Sequence, residues 1–175
     1  MADKLELLSK DAERGDVIAQ YNLGRAYFLG EVSKDVFYNN KQAVIWLRKA
    51  ADQGHAHAQV MLGNAYYSGA GIGQDRKQAV ECYRIAADQG NADGQYRLGD
   101  AYYDGLGIEK DDKSAIDWWL KAAEQGNTNA QLRLGDAYHE GTLVEKDATR
   151  ALDWWRKAAD SREILGQLRL SKHVK

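Results

Sequence analysis

The chain writes one phrase twice: residues 97–105 read RLGDAYYDG and, thirty-six positions later, residues 133–141 read RLGDAYHEG. Leu-Gly pairs recur at Leu23-Gly24, Leu62-Gly63, Leu98-Gly99 and Leu134-Gly135, spaced by 39, 36 and 36 residues. A fixed period of this length marks modules that cannot bury their apolar faces alone and stack on one another to do so. A second series runs in phase: AVIWLRKAADQG from Ala43, AVECYRIAADQG from Ala79, AIDWWLKAAEQG from Ala115 and ALDWWRKAAD from Ala151. Each module therefore has two segments.

Both segments have helical spacing. In the third module Gly94, Leu98, Ala101 and Tyr102 share one face of a helix A, with Tyr96 and Tyr103 beside them, while Ala115, Trp118, Trp119, Ala122 and Ala123 cover one arc of a helix B and leave Asp117 and Lys121 to water. Asp16, Asn91 and Asn127 stand where an N-cap accepts the free amides of helix A. Gly54, Gly90 and Gly126 stand where a left-handed residue ends helix B. The A-to-B turns GAGIGQD, GLGIEKD and GTLVEKD supply glycine for positive φ and Asp75, Asp111 and Asp147 to cap the next helix. The first turn, GEVSKDVFYNN, is three residues longer and carries Phe37 and Tyr38. The expected architecture is all-α: stacked antiparallel helix hairpins in one repeat domain over 1–175. It comprises a cap helix in 1–15, repeats at 16–54, 55–90, 91–126 and 127–162, and a second cap with tail at 163–175.

Small residues let the A and B axes approach closely, and large aromatics fill the gaps between hairpins. Burying a tryptophan of about 200 Å² at about 25 cal/mol/Å² is worth roughly 5 kcal/mol before entropy. Trp46, Trp118 and Trp154 are therefore expected in the core, and Cys82, in the same column, is expected to be a small buried hydrophobe rather than a reactive thiol.

The combination of L-G-x-x-Y, G-x-G-I/V, A-x-x-W-W/Y and K-A-A-E-Q-G at fixed spacing resembles the Sel1-like repeat, a relative of the tetratricopeptide repeat. Four full units and two half-units match. The resemblance implies a right-handed α/α solenoid whose A helices line a concave surface, acting as an adaptor that holds other proteins together. The A-to-B turn lacks the proline of many members, showing Gly73, Glu109 and Glu145 instead. The disulfide of the cysteine-rich branch cannot form with one cysteine.

With three sides of helix A given to packing, one stripe is left over. It reads Ile18, Asn22, Arg25 and Leu29, then His57, Met61, Asn64 and Ser68, then Asp93, Arg97, Asp100 and Asp104, then Asn129, Arg133, Asp136 and Glu140. The candidate partner-binding residues are Asn22, Arg25, Met61, Asn64, Arg97, Asp100, Asp104, Arg133, Asp136 and Glu140. The guanidinium is suited to bidentate capture of a carboxylate, so Arg97 and Arg133 are candidate anchors with Asp100 and Asp136 orienting them. The plainer alternative has Arg97 paired with Asp93 and Asp100 along its own helix, worth about 0.3–0.5 kcal/mol per pair. The Phe37/Tyr38 turn is a second candidate surface.

Catalysis lacks support in the sequence. His55 and His57 are two apart and would diverge by about 200° on a helix, and His139 falls in a column of Phe28, Tyr67 and Tyr103. No serine begins an S-x-x-K motif, and the turn glycines have neither a preceding strand nor a Walker lysine. No catalytic residue, metal or cofactor is expected. A net charge of −2 with 29% charged residues in mixed order gives no field for nucleic acid, and no apolar run suits membrane insertion. The expected partner is a protein or peptide. A self-assembling homo-oligomer is the alternative, and weak binding or hydrolysis of β-lactams the third reading. Location is expected to be cytoplasmic as written, or periplasmic or secreted if an export signal has been removed.

Overall fold

The computed structural model describes residues 2–30 and 39–160, with side chains from Glu6 onward. Among these residues all regular structure is helical: α1 (Ala2–Glu13), α2 (Val17–Leu29), α3 (Asn40–Asp52), α4 (Ala56–Ser68), α5 (Arg76–Asp88), α6 (Ala92–Asp104), α7 (Asp112–Glu124), α8 (Thr128–Glu140) and α9 (Ala148–Asp160). Helices α2, α4, α6 and α8 are the A helices, and α3, α5, α7 and α9 the B helices. The chain divides into two compact units, Met1–Gly94 and Gln95–Lys175. The second cap and the Phe37/Tyr38 turn lie outside the described residues.

The helix ends follow their caps. Asp16 accepts from the Ala19 amide at 2.7 Å, Asn91 from Gly94 at 2.9 Å and Asn127 from Ala130 at 3.0 Å. Asp75, Asp111 and Asp147 each accept two amides of the following B helix. The turns close in one way throughout: the amides of Asn39, Asp75, Asp111 and Asp147 donate to the carbonyls of Tyr27, Tyr66, Tyr102 and Tyr138 at 2.9–3.2 Å. Asn39 therefore enters α3 in the same register as Asp75, Asp111 and Asp147 enter their B helices.

Packing within each hairpin centres on the glycine of the Leu-Gly pair. A Cβ built on Gly24 would lie 2.8 Å from Leu47, on Gly63 2.5 Å from the Tyr83 ring and on Gly99 2.5 Å from the Trp119 indole. On Gly135 it would collide with Trp155. The side chain of the B helix thus rests directly on the backbone of the A helix, and only glycine leaves room. This column is the deep one: Leu47 is fully buried, Trp119 is 1% exposed and Trp155 2%.

That finding corrects the expectation for Trp46, Trp118 and Trp154. These rings are half-buried, and Lys49, Lys121 and Lys157 lie over them with the ammonium 3.9–4.0 Å from the ring centroid. Where the column holds Cys82 instead of tryptophan, the lysine position holds Ile85. The lysine goes with the ring because a half-exposed aromatic face attracts a cation. Trp46 still packs against the α1/α2 cluster of Ala12, Ala19 and Leu23, and Trp154 against the α7/α8 cluster, so both join neighbouring modules without being fully enclosed. Cys82 is buried with α3 and α4 as expected, and burial pushes its thiol up to about 11.

Consecutive modules are also clasped by buried glutamines. Gln20, Gln59 and Gln131 donate through Nε2 to the carbonyls of Ala12, Ala51 and Ala123 on the preceding helix at 3.0–3.1 Å. The side-chain oxygens of Gln20 and Gln95 in turn accept from Gln53 and Gln125, which sit at the ends of α3 and α7. The carbonyls of Ala12, Ala51 and Ala123 also accept the backbone amides of Gly15, Gly54 and Gly126, so each glutamine occupies a second lone pair in the last turn of the preceding helix.

Gly99→Ala is expected to destabilise the protein by about 1–3 kcal/mol through overpacking against Trp119. Gly73→Ala, where a Cβ would meet open space, is expected to be neutral or mildly stabilising. Thermal unfolding of the two variants beside the parent checks the contrast.

Candidate functional site

The left-over stripe of the A helices was expected to be free of packing. In the first unit α2 presents Ile18, Arg25 and Leu29 exposed with Asn22 half-buried, and α4 presents His57 and Ser68 exposed with Met61 and Asn64 half-buried. In the second unit α6 presents Arg97 and Asp104 exposed with Asp100 half-buried, and α8 presents Asn129 and Glu140 exposed with Arg133 and Asp136 half-buried. Asp93 is also exposed.

One column of the stripe has a structural task, which corrects that expectation. Asn64 accepts from the Tyr83 hydroxyl at 2.8 Å, and Asp136 accepts from the Trp155 indole N–H at 3.1 Å. Both bonds run from the A helix to the deep aromatic of its own hairpin and give a buried donor its acceptor. In the first repeat the deep residue is Leu47, which has no polar group, and the matching position is the exposed Arg25. Sequence reasoning could have found this column, because an acceptor on helix A accompanies a donor on helix B.

Repeat 3 breaks the pattern. Asp100 stands opposite Trp119, but it turns to the next A helix, where Arg133 Nε lies 3.2 Å from its Oδ1. The ion pair of Asp100 is therefore with Arg133 across helices, not with Arg97 along its own helix. The guanidinium of Arg97 lies 5.6 Å from the Tyr96 ring centroid. Arg133 also lies over two rings, 5.8 Å from the centroid of Tyr103 and 5.7 Å from that of Trp119. The Tyr96 hydroxyl donates to the Asp100 carboxylate. Burial, with the nearby Asp100 charge, pushes Tyr96 up to about 12. Asp100 is itself raised above the usual carboxylate range because burial outweighs the Tyr96 bond and the Arg133 and Arg97 charges.

The two histidines of repeat 2 do not diverge. His55 precedes the helix and serves as the N-cap of α4, its Nδ1 accepting from the Ala58 amide at 3.2 Å. Its ring stacks on Tyr21 at 4.4 Å and lies 6.0 Å from His57. Burial, and then the charge of His57, lower the His55 pKa below 6.5. His139 packs on Trp155 at 5.3 Å as Tyr103 packs on Trp119 at 5.4 Å. Among the described residues no cluster of three or more His, Cys, Asp or Glu is placed to hold a metal, and no helix is long and apolar enough to cross a membrane. A shallow depression of about 370 Å³ lies by the α8–α9 turn, lined by Tyr138, Val144, Glu145, Lys146, Asp147 and Arg150.

The Sel1 repeat pattern matches residues 17–55, 56–91, 92–127 and 128–162, one match for each observed hairpin. The chain belongs to the Sel1 repeat family. It is similar to a Sel1 repeat protein from Oxalobacter formigenes, with 34% identity and a TM-score of 0.92, over 99% of this chain and 68% of that one. It is also similar to a protective antigen present in uropathogenic Escherichia coli strains that displays an SLR fold. There the identity is 39% and the TM-score 0.83, over 93% of this chain. The chain spans about a third (34%) of that antigen's length. An immunity protein from Pseudomonas aeruginosa, at 24% identity and a TM-score of 0.60 over 88% of this chain and 56% of that one, shares the fold. No curated protein sequence matches significantly. Sel1 repeat proteins generally mediate protein–protein interaction and are generally non-catalytic.

Two titrations follow. Because the folded pKa of Asp100 is raised, the native state holds that proton longer than the unfolded state does. Stability therefore falls as pH rises from 3.8 through the folded pKa, and the penalty is complete above it. Asp100→Asn, which does not titrate there, is accordingly expected to lose less stability than the parent as pH rises through that window, as read by denaturant unfolding at a series of pH values. His55 is the opposite case: its folded pKa is depressed, so its contribution is full above 6.5 and is lost as pH falls through the folded pKa, when the cap loses its acceptor. His55→Asn keeps a capping oxygen and is expected to lose less stability than the parent between pH 7 and pH 5 in the same measurement.

Proposed function

We propose that this chain is a non-catalytic adaptor that holds a segment of another protein on the exposed faces of its A helices. In the second unit the binding residues are Arg97, Asp104, Arg133 and Glu140, with Asp100 and Asp136 setting the floor. In the first unit Asn22, Arg25 and Met61 offer a less charged face, and Asn64 is tied to Tyr83. The observation that carries the reading is the unequal use of helix A. Its leucine, alanine, glycine and glutamine columns are buried in packing, whereas Arg97, Asp104 and Glu140 remain exposed beside the cross-helix pair Arg133–Asp100. Side chains that contribute nothing to the core are free to be spent on a partner, and arginine beside aromatic rings is a frequent interface anchor.

Reversing charge at Arg97 and Arg133 together, both to glutamate, is expected to abolish capture of the partners that the parent retrieves from a native lysate. The far-UV circular dichroism should be unchanged. Asp117→Lys on the exposed side of α7 is expected to retain them. Equal capture by the parent and the double variant would retire the reading.

A further inference from the structure

Repeat 3 lacks a hydrogen bond that the hairpins on either side of it make. In repeats 2 and 4 the deep aromatic donates to the A-helix residue facing it, Tyr83 to Asn64 and Trp155 to Asp136. In repeat 3 both groups are present, the indole N–H of Trp119 and the carboxylate of Asp100. Yet the Trp119 nitrogen and Asp100 Oδ1 are buried without a hydrogen-bond partner among the described residues. A buried donor without an acceptor is an uncommon arrangement and calls for a cause. Arg133 supplies the cause: its Nε holds that same Oδ1 in an ion pair at 3.2 Å, while its guanidinium covers the Trp119 ring. The side chain of Asp100 is 16% exposed, whereas that of Arg133 is 41% exposed and reachable from outside.

We infer that Arg133 and Asp100 form an exchangeable latch: a side-chain carboxylate of a bound segment replaces Asp100 on Arg133, and Asp100 then accepts the indole N–H of Trp119 as Asp136 accepts that of Trp155. The inference rests on the proposed binding face of the second unit and names its partner chemistry. A guanidinium offers an incoming carboxylate two parallel N–H donors, whereas Asp100 meets it through Nε at 3.2 Å. The released Asp100 keeps the Tyr96 hydroxyl as donor and gains the indole, so no buried group is stranded by the exchange.

The surrounding charge restricts the incoming segment further. With Arg133 and Asp100 cancelling, Asp104, Asp136 and Glu140 outweigh Arg97 on α6 and α8. A run of acidic residues would be repelled, so the segment that fits carries one glutamate or aspartate flanked by basic side chains.

The experiment follows the five indole N–H resonances of the full chain by NMR, with Trp119 assigned from a Trp119→Phe variant. Three results are expected. Arg133→Gln moves the Trp119 signal downfield towards that of Trp155, with the other indoles in place as the sign of an intact fold. Adding Asp100→Ala to that variant reverses the move. Titrating the parent with an acetylated, amidated Lys-Glu-Lys peptide produces the same downfield shift, which the Lys-Gln-Lys peptide does not. A Trp119 signal unmoved in Arg133→Gln overturns the latch, whatever the lysate experiment gives. A signal that moves in the variant but ignores the glutamate peptide overturns the carboxylate exchange. The adaptor reading itself fails only if the charge-reversed chain captures its partners undiminished.

Discussion

The structure depends on one contact made four times, in which a large side chain of helix B rests on the bare backbone of a glycine in helix A. At Gly63 and Gly99 there is no room for a methyl group. Because glycine costs helix stability in the middle of a helix, the contact must return more than it takes, and it does so by burying Tyr83, Trp119 and Trp155 almost completely. The rest follows from that closeness. Helices this near leave their neighbouring columns to alanine, and the buried aromatics need acceptors for their N–H and O–H groups. Those acceptors must come from the residue after the glycine.

The same requirement links the core to the candidate binding face. Asn64, Asp100 and Asp136 follow the glycine directly, so they stand between the deep aromatic and solvent. Two of them meet the aromatic's need, and the third is diverted to Arg133. A surface of this kind is not independent of the packing beneath it. Under the proposed latch, a ligand that took Arg133 from Asp100 would change the hydrogen bonding of a residue 1% exposed, and the scaffold would register occupancy locally.

Much of this was legible in the repeat. The Leu-Gly spacing gave the modules, and the Asp, Asn and Gly positions gave helix ends that the caps bear out. The choice between adjacent tryptophans was not legible. Trp118 and Trp119 stand side by side in a helical pattern, and a face spanning both allows either to be the deeper one. Periodicity resolves a face but not which of two neighbours meets a glycine. The clue lay in Lys49, Lys121 and Lys157, one turn beyond the outer ring, because a lysine placed over an aromatic needs that aromatic at the surface. His55 was misjudged for a similar reason: as a cap it lies outside the helix, so helical geometry does not separate it from His57.

By itself the sequence determined the period, the all-α hairpin class and the helix ends. These are local properties, written in spacing and in the capping chemistry of single residues. Tertiary structure alone decided which aromatic is deep, that Gln20, Gln59 and Gln131 clasp the preceding helix, and that Asp100 faces Arg133 on another helix rather than Arg97 on its own. Those outcomes turn on distances of a few ångströms between residues on different helices, from 8 positions apart in the glutamine clasps to 33 in the Asp100–Arg133 pair. Such distances are set by how closely two helix axes approach, and spacing along one chain does not fix that.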